Sequence, residues 1–368
     1  MNNWFTISNV EHIDTPALAV YPERIQENIR ILKTFAPDIA LLRPHMKTNK
    51  SPQVAKMLIR EGIALFKCAT IAEAEMLAEA GAKDILLAYQ PVGPKAERLA
   101  TLTARYSQTI FSCLADNITT AKHISTVFER SAQKIRVYID LNVGMNRTGI
   151  APDAALELYK QLLALPGIIA YGLHAYDGHL RDVDLAVRAQ KCNEAFAAVE
   201  KLRDQIVQQT GNIPAIVAGG TPTFPIHAQR NGVACSPGTF IYWDKGYQNI
   251  LQEQPFLFAA LVVTRVISLP AKDTICIDLG HKAIASENPL TNRVTFLNAP
   301  DLEPTGHSEE HMILKTPAGS TYQVGDVLYG VPYHICPTVA LYDRTAIVTD
   351  NEVTDYWTTQ ARNRVITI

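Results

Sequence analysis

Residues 64–89 read ALFKCATIAEAEMLAEAGAKDILLAY, and they set the pattern for the first two thirds of the chain. The short apolar runs ALFKCA and DILLAY enclose IAEAEMLAEAGA, whose apolar residues recur at helical spacing. This order predicts a strand, a helix and a second strand. Such a unit is typical of a parallel sheet covered by helices.

The same alternation extends in both directions from this stretch. Before it, ALAVY precedes ERIQENIRILKTF, and IALLRP precedes SPQVAKMLIREG. After it come TIFSCL, KIRVYIDLN, GIIAYGLHAY and AIVAGG, with helical segments between them. About eight such units between residues 16 and 240 favour a (β/α)8 barrel over an open doubly wound sheet.

From about residue 250 the pattern changes. LFAALVVTRVISL, DTICIDLG and DVLYGVPYH are strand-like runs separated by Gly, Pro, Asn and Asp turns, without a long amphipathic helix. The predicted fold class is therefore α/β + β. It places an N-terminal (β/α)8 TIM-type barrel at residues 14–248 and a C-terminal all-β domain at residues 249–368, joined by residues 1–13.

Composition excludes several classes of protein. The 368 residues are 47% hydrophobic, as expected for a globular chain of about two domains, and the net charge is −2. Without a basic field, nucleic acid is not expected as a partner. No basic-apolar leader and no long apolar run is present, which predicts a cytoplasmic protein without a membrane partner. Six cysteines without a C-x-x-C pair argue against a disulfide framework.

The segment IALLRPHMKTNK, residues 39–50, places four polar residues, Arg43, His45, Lys47 and Lys50, directly after a strand. The rim at the C-terminal ends of barrel strands is where such enzymes build their active sites. A lysine there can form a Schiff base with a carbonyl when neighbouring cations and partial desolvation lower its pKa. Lys47 is the leading catalytic candidate, and the alternative is that these residues are solvated rim cations.

Later strands supply further rim candidates. GMNRTG contains Arg147, and GLHAYDGH contains His174, Tyr176 and His179. The small-residue turns AGGTPT and CSPGT follow the last predicted strands, where barrels seat a phosphate on backbone N–H groups. Their candidate residues are Gly219, Gly220, Thr221, Ser236, Gly238 and Thr239. Either glycine cluster alone is weak evidence, because glycine turns commonly end strands.

The C-terminal region contains PYHICPT, in which His334 and Cys336 are two positions apart. If this segment is extended, the two side chains point to the same face. An imidazole and a thiolate on one face form half of a site for a divalent metal, most readily zinc. The alternative is a structural pair in a strand, and Asp343 or waters would have to complete a metal shell.

The motifs RPHMKTNK, GMNRTG, GLHAYDGH, AGGTPT, SPGT and PYHICPT occur in this order over nearly the whole chain. In this combination the chain resembles the alanine-racemase-like pyridoxal-phosphate enzymes of fold type III. It is most similar to the branch that contains D-threonine aldolase and D-serine dehydratase. KTNK departs from the KTHK common in that branch, so no histidine role transfers to Asn49.

The resemblance implies roles for these residues toward pyridoxal 5'-phosphate. Lys47 would bind the cofactor's aldehyde, Arg147 its phenolic oxygen, and Tyr176 would stack near the pyridine ring. The phosphate would be held by Gly220, Thr221, Gly238 and Thr239. Ser236 would face the pyridine nitrogen where the racemases carry an arginine, which weakens the electron sink and suits a metal-assisted reaction.

The resemblance also implies a metal site, a substrate and an assembly. His334 and Cys336 would hold a divalent metal (Mn, Mg or Zn) beside the hydroxyl of a small D-3-hydroxy amino acid. His179 is the candidate base near that hydroxyl, and His45 would contact the catalytic groups indirectly or through a water on the metal. Each active site would be completed by the partner chain of a homodimer with shared active sites.

Two reactions fit such a site. GLHAYDGH resembles the aldolases, which predicts a lyase that cleaves D-threonine-type substrates to glycine and an aldehyde. Cys336 resembles the dehydratases, so the alternative is a D-serine or D-3-hydroxy amino acid dehydratase that gives a 2-oxo acid and ammonia. A second alternative is a non-catalytic pyridoxal-phosphate-binding protein, which has no need of the β domain or of the His334/Cys336 pair.

Overall fold

The structure is a computed structural model that describes residues 3–368. The chain divides into two compact units. The barrel unit comprises Leu32–Lys47, Pro52–Gly238 and Asn363–Ile368. The β unit comprises Met1–Ile31, described from residue 3 onward, with Thr48–Ser51 and Thr239–Arg362. The predicted domain bounds 14–248 and 249–368 stay a prediction, because units are defined by contacts and domains by independent folding.

The barrel unit is built on one parallel sheet of seven strands, in which each strand pairs with the next one in the sequence. The strands are β2 (Leu65–Cys68), β3 (Asp84–Leu87), β4 (Ile110–Ala115), β5 (Ile135–Leu141), β6 (Ile168–Ala175), β7 (Ala215–Ala218) and β8 (Val233–Cys235). Parallel neighbours joined by helical crossovers are the arrangement that the sequence predicts, and the predicted fold class is confirmed.

Residues 42–45 close the ring between the first and last strands of this sheet. Leu42 forms a parallel bridge with Cys235 of β8, and His45 forms one with Lys67 of β2. The backbone N–H of Arg43 donates to the carbonyl oxygen of Cys235 at 2.7 Å, and that of Met46 to Lys67 at 2.9 Å. The seven strands and this segment together form the eight segments of the ring, which we call staves.

The sequence pattern assigned one strand to the wrong sheet. ALAVY, predicted as the first barrel strand, forms β1 (Ala17–Val20) of the β unit, where it pairs with β9 (Ala260–Ala271) and β15 (Arg344–Thr349). The eighth stave is instead β8, which the rhythm does not reveal because it has three residues. A short apolar strand carries no information about which sheet it joins.

Helices follow the strands, and local sequence signals set where several of them begin and end. Their bounds are α1 (Pro22–Phe35), α2 (Pro52–Arg60), α3 (Ile71–Glu79), α4 (Pro94–Arg105), α5 (Ile118–Arg130), α6 (Pro152–Leu163), α7 (Leu185–Thr210), α8 (Phe224–His227), α9 (Lys245–Ile250) and α10 (Ile335–Val339). Side chains of Thr70, Asn117 and Asp184 cap α3, α5 and α7 at their N-termini. Gly211 ends α7 in the left-handed conformation.

The barrel interior is filled by buried side chains from different staves. Leu86, Leu114, Tyr138, Val217 and Ala234 form one buried cluster. Burial of their apolar area stabilises the ring by roughly 25 cal/mol per Å². This packed layer supports the polar residues at the C-terminal ends of the strands.

The β unit contains one mixed sheet. The other strands are β10 (Thr274–Ile277), β11 (Val294–Phe296), β12 (Glu303–His307), β13 (Met312–Lys315), β14 (Val327–Pro332) and β16 (Glu352–Thr358). The strand order is β12-β13-β10-β9-β1-β15-β16, with β14 on β9 and β11 on β14. Its core includes Leu261, Val263, Tyr329 and Val331. No helix among residues 3–368 has the length and apolar character needed to cross a bilayer.

Candidate active site

Three cationic side chains surround the ring of Tyr176 at the mouth of the barrel. Lys47 Nζ lies 6.0 Å from the ring centroid, Lys67 Nζ 5.5 Å and the Arg147 guanidinium carbon 5.1 Å. The closing segment, β2 and the turn after β5 deliver these groups to one aromatic ring. The structure therefore brings together Lys47, Arg147 and Tyr176, the residues predicted to bind the cofactor.

Two glycines leave the space that the Tyr176 ring occupies. A Cβ on Gly220 would lie 2.8 Å from Tyr176 Cε2, and one on Gly178 would lie 2.1 Å from Tyr176 Oη. Neither position accepts a side chain without moving the ring. Gly220, predicted to contact the phosphate, thus also positions Tyr176.

A buried hydrogen-bond network supports the turn that contains Gly220. Asp177 Oδ1 accepts from the Thr223 hydroxyl at 2.6 Å, and Asp177 Oδ2 lies 2.8 Å from His227 Nε2. Cys192 Sγ lies 3.2 Å from the same His227 nitrogen. Burial alone would raise the pKa of Asp177, but its hydrogen bonds, first that from His227, hold it below the usual range.

Asp177, Cys192 and His227 also have the donor types and proximity of a metal site, with donor atoms within 4.8 Å of one another. Burial, together with the charge of Asp177, raises the pKa of the Cys192 thiol to about 12. Without a bound ion the thiol is protonated at neutral pH, and the contacts within the cluster are then hydrogen bonds. We interpret the cluster as a brace for the Gly219–Thr223 turn.

A second buried pair lies on β5 and β6. His174 Nδ1 is 2.7 Å from Asp140 Oδ1, while Asp140 Oδ2 accepts from the Thr148 hydroxyl at 2.7 Å. Burial lowers the pKa of His174, the charge of Lys67 adds to this effect, and Asp140 opposes it. His174 Nε2 is buried without a hydrogen-bond partner among residues 3–368.

The predicted phosphate turns also meet in the barrel unit. The Thr221 hydroxyl accepts a hydrogen bond from the Gly238 N–H at 3.2 Å. Ser236 Oγ is buried and has no hydrogen-bond partner within the described chain. A buried hydroxyl without a partner is costly unless a ligand satisfies it. The residues present therefore fit a phosphorylated heterocycle that contacts Ser236.

The predicted acid–base histidines lie in different surroundings. His45 is buried, and its Nδ1 accepts the backbone N–H of Lys47 at 3.2 Å. His179 is exposed and lies against Gly144, where a Cβ would come within 2.7 Å of its Nε2. His45 therefore fixes the backbone at Lys47. His179 keeps an accessible ring on the rim.

The predicted metal pair lies in the β unit. His334 is the N-cap of α10 and Cys336 is its second residue, so a helix start rather than an extended segment brings them together. Burial would lower the pKa of His334, but its hydrogen bond with Cys336, followed by Glu287 and Asp244, raises it to about 9. His334 thus contacts a thiol and a carboxylate, which are donor types that a divalent metal takes.

Other contacts surround Cys336 within the β unit. The Thr48 and Thr239 hydroxyls lie 3.1 Å and 3.8 Å from its sulfur. Thr239, predicted to bind the phosphate, is thus a neighbour of Cys336. Glu287, which pairs with His334, gives no sequence signal because it lies in a loop 47 positions away.

Lys67 is the main functional candidate that the motifs miss. It is 3% exposed. Burial, with the nearby charge of Lys47, lowers its pKa to about 7. A signal exists in the sequence, since a lysine inside the apolar run ALFKCA is unusual for a strand that is buried on both faces.

A parallel barrel with lysine, arginine and tyrosine at its mouth, and a separate β unit, defines an alanine-racemase-like architecture. The chain belongs to the family of the alanine racemase N-terminal domain, whose model matches residues 20–245. Residues 259–348 match the family described as a serine dehydratase domain. The family predicted from the motifs is thereby confirmed.

Similar proteins cover nearly the whole chain. A D-threonine aldolase of Arthrobacter sp. is 29% identical over 360 residues, covering 95% of this chain and 93% of that one. A D-threo-3-hydroxyaspartate dehydratase of Delftia sp. (strain HT23) is 25% identical, covering 90% and 93%. The crystal structure of D-threonine aldolase from Filomicrobium marinum superposes with a TM-score of 0.87 at 24% identity, covering 98% and 99%.

Aldolases and dehydratases with these names are pyridoxal-phosphate lyases, and the prediction of an enzyme of that class is confirmed.

Proposed function

We propose that the protein is a pyridoxal-phosphate- and divalent-metal-dependent D-threonine aldolase, which cleaves D-3-hydroxy amino acids to glycine and an aldehyde. The observation that carries the proposal is the placement of Lys47 and Arg147 around the ring of Tyr176. An amine, a guanidinium and an aromatic face are the groups that a phosphorylated pyridine aldehyde requires. The buried, unpartnered Ser236 hydroxyl supports the same reading.

In this proposal the cofactor is held mainly by residues of the barrel unit. Lys47 would bind its aldehyde carbon, Arg147 its phenolic oxygen, and the Gly220–Thr221 and Gly238–Thr239 turns its phosphate. When bound, pyridoxal phosphate supplies an electron sink for the electron pair left on the substrate's α-carbon. The hydrogen bond from Lys47 N–H to His45 holds this backbone, and hence the amine, in place.

His334 and Cys336 would hold the divalent metal (Mn, Mg or Zn), with Glu287 next to His334. When bound, such an ion supplies a Lewis acid that orients and acidifies a hydroxyl. His179, exposed on the rim, would take the proton of the substrate's β-hydroxyl. His45 remains a candidate for the indirect or water-mediated contact that the resemblance implies.

The second candidate is a D-3-hydroxy amino acid dehydratase, and Cys336 favours it. A thiolate is a softer ligand than the carboxylate expected in several aldolases. In this reaction the α-proton leaves first and the hydroxyl then departs from the β-carbon, giving a 2-oxo acid and ammonia. The similarity to the Delftia dehydratase supports keeping this alternative.

Product analysis separates the two reactions. The protein is loaded with pyridoxal phosphate and with Mn²⁺, Mg²⁺ or Zn²⁺ in turn, and is given D-threonine and D-serine. Glycine plus acetaldehyde from D-threonine is the expected result, and predominant 2-oxo acid plus ammonia would replace the aldolase by the dehydratase. Lys83→Met, on an exposed turn, is the control for the Lys47→Ala variant used to test cofactor attachment.

Cofactor attachment is tested by absorbance. The band of lysine-bound cofactor should be present in the wild type and absent in Lys47→Ala. If the protein binds the cofactor but converts neither substrate, it would be the non-catalytic pyridoxal-phosphate-binding protein. The cytoplasmic location and the homodimer with shared active sites also stay predictions. Activity that persists undiminished in a monomer on dilution would contradict the shared sites.

A further inference from the structure

Lys67 occupies an unusual place for a lysine. It is the third residue of β2, and its backbone pairs with the segment that leads to Lys47: Lys67 N–H donates to Pro44 O at 3.0 Å, and Met46 N–H donates to Lys67 O at 2.9 Å. The strand pairing therefore fixes Lys67 beside the proposed cofactor lysine. Its amine faces the same Tyr176 ring as Lys47.

The amine of Lys67 is buried without a counter-ion. The side chain is 3% exposed, and no carboxylate among residues 3–368 lies within ion-pairing distance of Nζ. Buried lysines are normally paired, because an isolated ammonium loses its hydration. Here burial and the charge of Lys47 favour the neutral amine, which brings its pKa to about 7.

The surroundings of Lys67 are mixed in charge. Charged or titratable groups act on it from several parts of the ring, namely Lys47 and Arg43 on the closing segment, Asp140 on β5, His174 on β6 and Asp177 after β6. The two carboxylates are already engaged, Asp140 by His174 and Asp177 by His227. The amine is thus free to exchange a proton near neutral pH.

A packing role does not require an amine at this position. Lys67 is paired in the sheet with the buried Leu86 of β3, and a methionine of similar length at this position would carry no unpaired polar group. The polar end of Lys67 therefore lowers stability. Strained or costly groups of this kind cluster at functional sites.

We propose that Lys67 is a second catalytic amine of the barrel site, which exchanges a proton with the α-carbon of a substrate held next to Lys47. This inference rests on the proposed function. A substrate amine bound where the Lys47 amine would attach the cofactor would place its α-carbon next to that position, and the amines of Lys47 and Lys67 contact the same Tyr176 ring.

The proton balance of this step is simple. In cleavage, the β-hydroxyl loses its proton to a base and the Cα–Cβ bond breaks, leaving an electron pair at Cα. The Lys67 ammonium then gives its proton to Cα, glycine leaves, and the neutral amine takes a proton from water. In reverse, the neutral amine removes an α-proton from glycine and becomes the ammonium.

Glycine exchange tests this step separately from cleavage. The holoenzyme is incubated with glycine in D₂O, and loss of the α-proton signal is followed by ¹H NMR from pH 5.5 to 9. The wild-type rate should rise with pH and level off above about 7. Lys67→Met and Lys67→Arg should each lower the rate about 100-fold or more, since neither offers a neutral amine. Lys83→Met should match the wild type.

Two readouts do not depend on turnover. Cofactor absorbance in Lys67→Met should match the wild type, because Lys47 remains. In the cofactor-free protein, ¹³C-labelled lysine should give one resonance that titrates near pH 7 and is missing in Lys67→Met. A titration at the ordinary lysine pH, or exchange in Lys67→Met within threefold of the wild type, would overturn the inference.

The remaining outcomes distinguish a failure of the proposed function from a failure of the role of Lys67. If the wild type binds no pyridoxal phosphate, the proposed function fails and this inference fails with it. If the wild type cleaves D-threonine while glycine exchange is absent or independent of Lys67, the proposed function stands and only the role of Lys67 is refuted. A lower Tm in Lys67→Met would point to a structural role instead, since the proposed role predicts an unchanged or higher Tm.

Discussion

Replacing Asp177 with alanine removes the acceptor at the centre of the brace under the Gly219–Thr223 turn. The Thr223 hydroxyl at 2.6 Å and His227 Nε2 at 2.8 Å both lose their buried partner. A buried donor left unpaired costs about 1 to 3 kcal/mol, so the two together should lower the free energy of unfolding by roughly 2 to 6 kcal/mol. Asp177→Asn keeps one acceptor oxygen and should cost about 1 to 2 kcal/mol.

The assay uses the separate location of two spectroscopic probes. All three tryptophans, Trp4, Trp243 and Trp357, lie in the β unit, whereas helices α3 to α8 belong to the barrel unit. Urea unfolding of the cofactor-free protein, followed by ellipticity at 222 nm and by tryptophan fluorescence, should show the loss mainly in the ellipticity transition. Asp153→Ala is the control, because that side chain is 94% exposed.

The pH dependence of the same variants follows from the lowered pKa of Asp177. A carboxyl whose pKa is lower in the folded protein stabilises it above the unfolded value of 3.8, and this contribution is lost as the pH falls toward the folded value. Asp177→Asn should therefore lose less stability between pH 5 and 3 than the wild type. A loss below about 1 kcal/mol in Asp177→Ala, or one equal to that of Asp153→Ala, would refute the brace.

Three further results are expected. Gly220→Ala should weaken pyridoxal-phosphate binding about tenfold or more in a fluorescence titration, because the new methyl would lie 2.8 Å from Tyr176; unchanged affinity would contradict the shared space. Lys67→Met should have a higher free energy of unfolding than the wild type. The difference should shrink by about 2 kcal/mol from pH 7 to pH 9, because the wild type gains stability there as its folded state binds fewer protons than the unfolded chain. A difference in urea unfolding that does not change with pH would exclude the shifted pKa of Lys67. His334→Ala and Cys336→Ala should each weaken Zn²⁺ binding by more than about tenfold in calorimetry, and an unaffected site would place the metal elsewhere.

The strand and helix pattern of the barrel could be predicted because it is local. The apolar run, the polar helical face and the caps at Thr70 and Asn117 act within a few residues of one another. The same local evidence misplaced ALAVY. A strand with little polar character on either face fits two different sheets, and pairing with β9 and β15 decides between them through backbone bonds to residues more than 200 positions away.

The candidate site shows the same division. Lys47, Arg147 and Tyr176 could be proposed from motifs, because strand ends in a parallel barrel converge on one rim. The brace of Asp177, Cys192 and His227 could not, since its members are 15 and 35 positions apart on a loop and two helices and no short motif links them. Glu287 beside His334 was hidden for the same reason.

By itself, the sequence determined the βα rhythm, the change to a β unit, the absence of a broad basic field and the rim positions of the main candidate residues. Periodicity, composition and motif order carry this information because each depends on neighbours along the chain. Only the tertiary structure decided which eight segments close the ring, that Lys67 is a buried amine beside Lys47, and that a helix start joins His334 to Cys336. These features depend on pairing and desolvation between distant segments, which a local stretch of sequence does not specify.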